Sequence, residues 1–341
     1  MNYLEIDNKL DKLSKQINVI SALKPTNLNS EKEIFFKDSN YNPQFKYKIK
    51  NYSTIKKELK KLEIPLDELG KLFEAKRQEF LKQIELIELI GTNKFTSKSI
   101  ELYGKPSRKI LNLARKDLEN IQFEKERNEL NTNAIKEILE KRLKELNINW
   151  KVELKDSLAD IVSVSKDGII FLRKDILVSK QRIQTMLKHE IDCHVVKANN
   201  GLKQKYKIFN YGFPNYLETE EGIAIYMVNQ LGLKTKKIYV PQVRVVLVDL
   251  ALKNSFSKVF AKCLEYGFSK EEAWDIVPRL KRGLKDTSLP GGFTKDYIYY
   301  SGYLKVKKYL EKGKLEDLFV GKISLEGLDM INKHKLLKLL R

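Results

Sequence analysis

Apolar residues recur at helical spacing through most of the chain and at strand spacing in one short stretch. In 65–90, Leu66, Leu69, Leu72, Phe73 and Phe80 follow the helical period, and Pro65 stands at a first-turn position, so a long helix is predicted. Residues 130–147 repeat the period, with glutamates one turn ahead of lysines. Ile55, Leu59 and Leu62 give the basic stretch 48–61 the same spacing, while 91–107 carries turn residues and reads as short helices or loops. From Trp150 the period shortens. Residues 150–154, 160–165 and 168–173 read as three short strands, the last two joined by a tight Asp167-Gly168 hairpin. Ser179 then caps a long helix, which Asn199-Asn200-Gly201 is expected to stop in a left-handed turn. The helical pattern returns after 217. Ser269 and Glu272 spell a capping box, and the Gly-rich 289–296 breaks the chain before a further helix.

This order predicts an α+β fold, mostly helical, with a small β-sheet beside the helix after Ser179. No repeat, low-complexity linker or clear boundary interrupts the pattern. Residues 1–40 read as an N-terminal extension and 41–341 as one domain. Within it, 41–149 is a helical part, 150–230 holds the sheet and the candidate site, and 231–341 is helical again.

Composition narrows the classes. With 341 residues, 42% of them hydrophobic, the chain can bury a core and is not disordered. Two cysteines, Cys193 and Cys263, cannot build a disulfide framework, which points to a reducing compartment. The N-terminus lacks an apolar signal core, and no apolar run approaches the roughly 18–20 residues of a membrane span. A cytoplasmic protein is the expectation. The charge of +20 comes from 65 Lys+Arg against 45 Asp+Glu. These lysines are dispersed rather than gathered in a stripe, which favours solvated helix faces and argues against nucleic acid as the partner.

The candidate chemistry lies in the long helix. Two of the three histidines stand five apart in His189-Glu190-Ile191-Asp192-Cys193-His194. The familiar zinc-protease helix places its histidines four apart, on one face. Five residues of ideal α-helix leave two rings about 140° apart, too far to share a metal. A π-bulge of roughly 4.4 residues per turn brings the divergence down to about 50°. The motif therefore suits a metal only with a local distortion. A catalytic zinc needs a third protein ligand, and Glu220 and Glu221, ahead of Gly222, are the candidates. Glu190 would be the general base. Asp192 either orients a histidine or is solvated, and Cys193 is too interior for a ligand. The strand before the helix, 168–175, could offer an edge to an extended peptide.

Several blocks carry a resemblance. Residues 189–201 (HEIDCHVVKANNG) and 216–226 (YLETEEGIAIY), with 41–47 (YNPQFKY), 91–107 (GTNKFTSKSIELYGKPS) and 282–302 (RGLKDTSLPGGFTKDYIYYSG), resemble the tyrosine/phenylalanine carboxypeptidase family over about residues 40 to 310. The resemblance implies a zincin-like metallopeptidase with one Zn2+ per chain, which removes a C-terminal aromatic residue from a polypeptide tail. It implies His189, His194 and Glu221 as ligands, favouring Glu221 over Glu220, and Glu190 as catalytic base. Asp192-Cys193 and Ile223 depart from the residues usual in the family without removing a ligand. A carboxypeptidase must also meet the terminal carboxylate and the oxyanion, and Arg282, Lys295 and Tyr299 in the last block are the candidates. The basic surface would suit an acidic tail. Two other readings stand beside this one: a basic nucleic-acid or filament-binding protein with a structural metal site, and a metal-dependent hydrolase of a non-peptide substrate.

Overall fold

The structure is a computed structural model that describes residues 2–119, 124, 126–156, 158, 161–165 and 168–333. Helices carry most of the described chain, and five short strands form one two-stranded and one three-stranded sheet. The α+β, mostly helical expectation holds. The chain gathers into two compact units, each assembled from two separate stretches: Met1–Ile121 with Tyr239–Tyr300, and Gln122–Ile238 with Ser301–Arg341. Because each unit is discontinuous in sequence, no change of pattern along the chain marks a boundary.

In the first unit, the residues before 40 form helices of their own. Tyr3–Ser14 starts at an Asn2–Glu5 capping box and buries Ile6, Leu10 and Leu13. The predicted long helix runs Glu68–Glu88. Its cap is Asp67, whose carboxylate accepts from Gly70 N at 2.9 Å, so Pro65 lies before the helix rather than in its first turn. The predicted capping box is present, with Ser269 and Glu272 satisfying each other's backbone N–H groups. An aromatic core of Phe35, Phe256, Phe260 and Trp274 joins the helices Leu28–Lys37, Phe256–Glu265 and Lys270–Lys281. Phe35 meets Phe260 at 4.6 Å and Phe256 at 5.0 Å, both edge to face.

The second unit holds the sheets: β1 (Asn128–Asn131), β2 (Lys151–Lys155), β3 (Val162–Val164), β4 (Ile169–Arg173) and β5 (Leu177–Ser179). The three strands foreseen from Trp150 onward are β2, β3 and β4; β1 and β5 were not foreseen. β3 and β4 pair antiparallel, Val164 opposite Ile170, and Gly168 has φ +79°, as a tight connection requires; Asp167 itself lies outside the described residues. The order is β2-β4-β3, with β2 parallel to β4. Thus β4 is the central strand, hydrogen-bonded on both sides. It has no edge for a peptide, contrary to the expectation for 168–175.

Beside the sheet, β1 pairs antiparallel with β5, which ends at Ser179. The Ser179 hydroxyl accepts from Arg182 N at 3.0 Å and starts the long helix as predicted. One core joins all of this: Ile135 and Leu139 from the helix Thr132–Glu145, Val152, Ile170 and Leu172 from the sheet, and Ile183, Met186, Ile191 and Val195 from the long helix. The sheet therefore fixes the rotation of that helix about its axis, and with it the direction of the histidines. The helix does not stop at Gly201. It continues to Leu202 with no left-handed turn at Gly201, where glycine instead makes room for the Phe209 carbonyl oxygen, 2.3 Å from where a Cβ would stand.

Candidate metal centre

The long helix is built in three parts: an α-helical start, Lys180–Met186, a π-helical middle, Leu187–Val195, and an α-helical end, Val196–Leu202. The middle segment contains the whole motif. Its wider turn rotates each residue less, which offsets the five-residue spacing as the sequence required. The rings of His189 and His194 meet with centroids 4.8 Å apart. Ile191 and Val195, on the same segment, point into the core under the sheet and anchor the distorted turn.

The facing helix, Tyr216–Asn229, supplies the carboxylates. Where it meets the helix Tyr297–Tyr309, its Gly222 crosses the backbone of Gly302, and a Cβ there would stand 2.3 Å from the Gly302 carbonyl carbon. Glu221 Oε2 lies 3.4 Å from His189 Nε2 and 3.8 Å from His194 Nε2. Each of His189, His194 and Glu221 brings a ligand atom within 4.8 Å of the others. A tetrahedral ion with bonds of about 2.1 Å holds its ligands about 3.4 Å apart, so these three could close on a metal by small side-chain adjustments. Glu190 Oε1 is 4.0 Å from His189 Nε2, and its side chain is 26% exposed against 11% for Glu221. It is the carboxylate of the cluster most open to an incoming molecule.

Glu220, the alternative ligand, has another partner. Its Oε1 lies 2.8 Å from His194 Nδ1. An ionised carboxylate only accepts, so Nδ1 carries a proton, and it is the Nε2 of the neutral imidazole that would present a lone pair toward Glu221 and His189. Burial would raise the Glu220 pKa, but the bond to His194, with Lys322 and Lys197 nearby, holds it below the usual value. Burial likewise opposes the His194 imidazolium, yet the bond to Glu220 and the charges of Glu220, Glu221 and Glu190 push its pKa up to about 9. Three carboxylates around two imidazoles form a cluster that attracts a cation. Donor type, spacing and charge all fit a zinc-like ion.

The other residues of the motif serve packing. Asp192 is buried and accepts from Arg142 Nε at 2.8 Å and Lys188 Nζ at 2.7 Å. It ties the helix to Thr132–Glu145, and so neither orients a histidine nor stands in solvent. Cys193 is buried with its thiol 3.7 Å from the Glu220 carbonyl oxygen, away from the ligand atoms. Beyond His194, Lys197 donates to Leu318 O at 2.7 Å and Asn200 to Phe319 O at 2.8 Å, which fixes the end of the helix.

Arg282, Lys295 and Tyr299 all belong to the first unit. Lys295 Nζ is 3.4 Å from Tyr299 Oη and lies over its ring. Arg282 stacks on Phe293 at 4.8 Å. The structure adds residues that the sequence did not single out. Asp296 is met at 3.2 Å by Arg279 Nε and at 3.4 Å by Arg244 Nε, and Arg244 also lies over the Tyr299 ring, at 5.3 Å. Only the position of Asp296 next to Lys295 could have signalled this cluster.

The chain is similar to known proteins along nearly all its length. It is 25% identical over 329 residues to microtubule-associated tyrosine carboxypeptidase 1 of Rattus norvegicus, covering 94% of this chain and 63% of the relative. Against the Homo sapiens protein of the same name it is 25% identical over 334 residues, covering 95% and 64%. The chain thus spans somewhat less than two thirds of the length of these relatives. The sequence model of the family described as microtubule-associated tyrosine carboxypeptidase matches residues 32–341, and the chain belongs to that family.

Proposed function

We propose that the protein is a zinc-dependent metallocarboxypeptidase that releases a C-terminal aromatic residue from a polypeptide tail. The observation that carries the reading is the convergence of His189 and His194, through the π-helical turn, on Glu221, with Glu190 exposed beside them. The relatives named tyrosine carboxypeptidases support the reaction class.

In this reading His189, His194 and Glu221 hold one Zn2+. When bound there, such an ion would supply Lewis-acid chemistry, the polarisation of a carbonyl and the activation of water near neutral pH. Glu190 takes the proton of the attacking water and passes it to the leaving amine. Glu220 keeps His194 in the tautomer whose Nε2 can act as a ligand. Arg282, Lys295 and Tyr299 are the candidates for holding the substrate. The charge of +20 suits an acidic tail, and two buried, unpaired cysteines suit a reducing compartment such as the cytoplasm. No helix among the described residues is long and apolar enough to cross a membrane.

The test pairs metal content with product release. Zinc per chain is measured by mass spectrometry, and free amino acids are followed from peptides ending in Tyr, Phe, Leu or Lys. One zinc per chain and aromatic release that drops at least about a hundredfold in Glu190→Gln are expected. Release by Glu190→Gln within tenfold of wild type would refute the role of Glu190. Full zinc content in Glu221→Ala would exclude that ligand.

A further inference from the structure

A charge taken out of water is costly unless hydrogen bonds replace its hydration shell. Lys281, the last residue of the helix Lys270–Lys281, is fully buried, and among the described residues it forms no ion pair. Four backbone carbonyl oxygens surround its amine instead: Leu289 O at 2.6 Å, Asn254 O at 2.9 Å, Gly291 O at 3.1 Å and Ala251 O at 3.4 Å. An ammonium has three N–H groups. Four acceptors exceed its directed bonds, and they form a cage around a point charge as carbonyl oxygens do around a bare cation.

Two segments build the cage. Ala251 ends the helix Lys236–Ala251, where the last carbonyls lack partners within the helix and carry the negative end of its dipole. Leu289 and Gly291 come from the Gly-rich turn, which folds back over the end of the Lys281 helix. Gly291 N donates to Ala251 O at 2.9 Å, and Phe293 N donates to Leu280 O at 2.8 Å. Gly292 has φ +145°, and a Cβ there would stand 2.0 Å from the Leu280 carbonyl oxygen, so the turn lies directly on the helix end. The carboxylate that acts on the amine by charge alone is Asp286, which is engaged by Ser288 N at 2.9 Å and Gln44 Nε2 at 3.0 Å. Burial pushes the Lys281 pKa down to about 7 against the pull of Asp286, while carbonyl dipoles aimed at the amine favour its charged form.

We propose that the carbonyl oxygens of Ala251, Asn254, Leu289 and Gly291 form a site for an ammonium-class cation, that Lys281 fills it as a built-in ion, and that this cation, not packing, holds the Gly-rich turn. The turn leads into Thr294–Asp296, so Lys281 is a positioning residue for that segment.

The experiment compares wild type, Lys281→Ala and Lys281→Met as full chains at pH 6, where the amine is charged. Each is placed in ammonium chloride and in tetramethylammonium chloride of equal ionic strength. Thermal midpoints and hydrogen exchange across 286–293 are read on the same samples. Lys281→Ala opens the cage and should lower the midpoint by at least about 5 °C in tetramethylammonium, which offers no N–H. Ammonium should recover at least about half of that loss, while wild type, with its cage full, shows no such difference between the salts. Lys281→Met fills the space without donating, so its midpoint should stay low in both salts. Exchange across 286–293 should rise at least about tenfold in Lys281→Ala and fall again in ammonium. A Lys281→Met chain as stable as wild type overturns the proposal, because packing then suffices. So does a Lys281→Ala chain that behaves alike in both salts, or one whose exchange across 286–293 matches wild type. If Lys281→Ala does not fold, the readout becomes the fraction refolded from urea into each salt. Equal failure in ammonium and tetramethylammonium then overturns the site.

Discussion

Glu220 and Glu221 are neighbours on one helix and take different parts because each meets a different nitrogen. Glu221 faces the Nε2 atoms of both histidines, and Glu220 holds His194 Nδ1 at 2.8 Å. Removing the second should loosen a bound metal without deleting a ligand. Glu220→Ala is expected to lower zinc affinity about 10- to 100-fold in competition with a chelator, and Glu220→Gln, which keeps an acceptor, by less. An unchanged affinity in Glu220→Ala would show that packing alone orients His194. The sequence left these two glutamates as alternatives before any resemblance was considered. Adjacent residues on a helix differ by about 100° in direction, and only the facing helix decides which direction is the useful one. Asp192 makes the same point, since it turns to Arg142 and Lys188, residues to which no motif directed attention.

At the level of elements, the five-residue spacing of the histidines demanded a π-helical turn, and Leu187–Val195 is one. The arrangement also depends on where Tyr216–Asn229 lies, and Gly222 lets it sit against the backbone of Gly302 in the helix Tyr297–Tyr309. Gly222→Ala should shift the glutamate helix off Gly302, costing about 1–3 kcal/mol of stability and weakening zinc binding by displacing Glu221. Denaturant unfolding with zinc titration would check it, and a variant as stable and as tight-binding as wild type would contradict it. Sequence pattern placed these helices and the strands of the three-stranded sheet, together with the Ser179 cap and the Ser269 capping box, because spacing and capping act over a few residues. It brought the long helix to within one residue of its end but read Gly201 as a left-handed stop, which it is not. A glycine that ends a helix and one that admits another backbone look the same in one dimension.

At the scale of the whole molecule, charge and pH enter. Asp296 is buried, which would raise its pKa, but Arg279, Arg244, Arg282 and Lys295 hold it far below the usual carboxylate range. A carboxyl with a depressed folded-state pKa contributes stability that is whole above its unfolded value of about 4 and is lost as pH falls toward the folded value. Asp296→Asn should therefore cost about 3 kcal/mol at pH 7 and flatten the loss of stability below about pH 4, measured as urea midpoints across pH. A variant with the acid dependence of wild type would refute the argument. The cluster itself was only half legible, since Arg282 and Lys295 stood out in one block while Arg244 lies far away in sequence. By itself the sequence determined the helical majority, the three-stranded sheet and the motif with its required distortion, because periodicity, capping and ligand spacing are local properties of the chain. Only the tertiary structure decided that Glu220 serves His194, that β4 is central and edgeless, and that four cations meet at Asp296. Those facts depend on which distant segments fold against one another and on the direction in which their side chains then point.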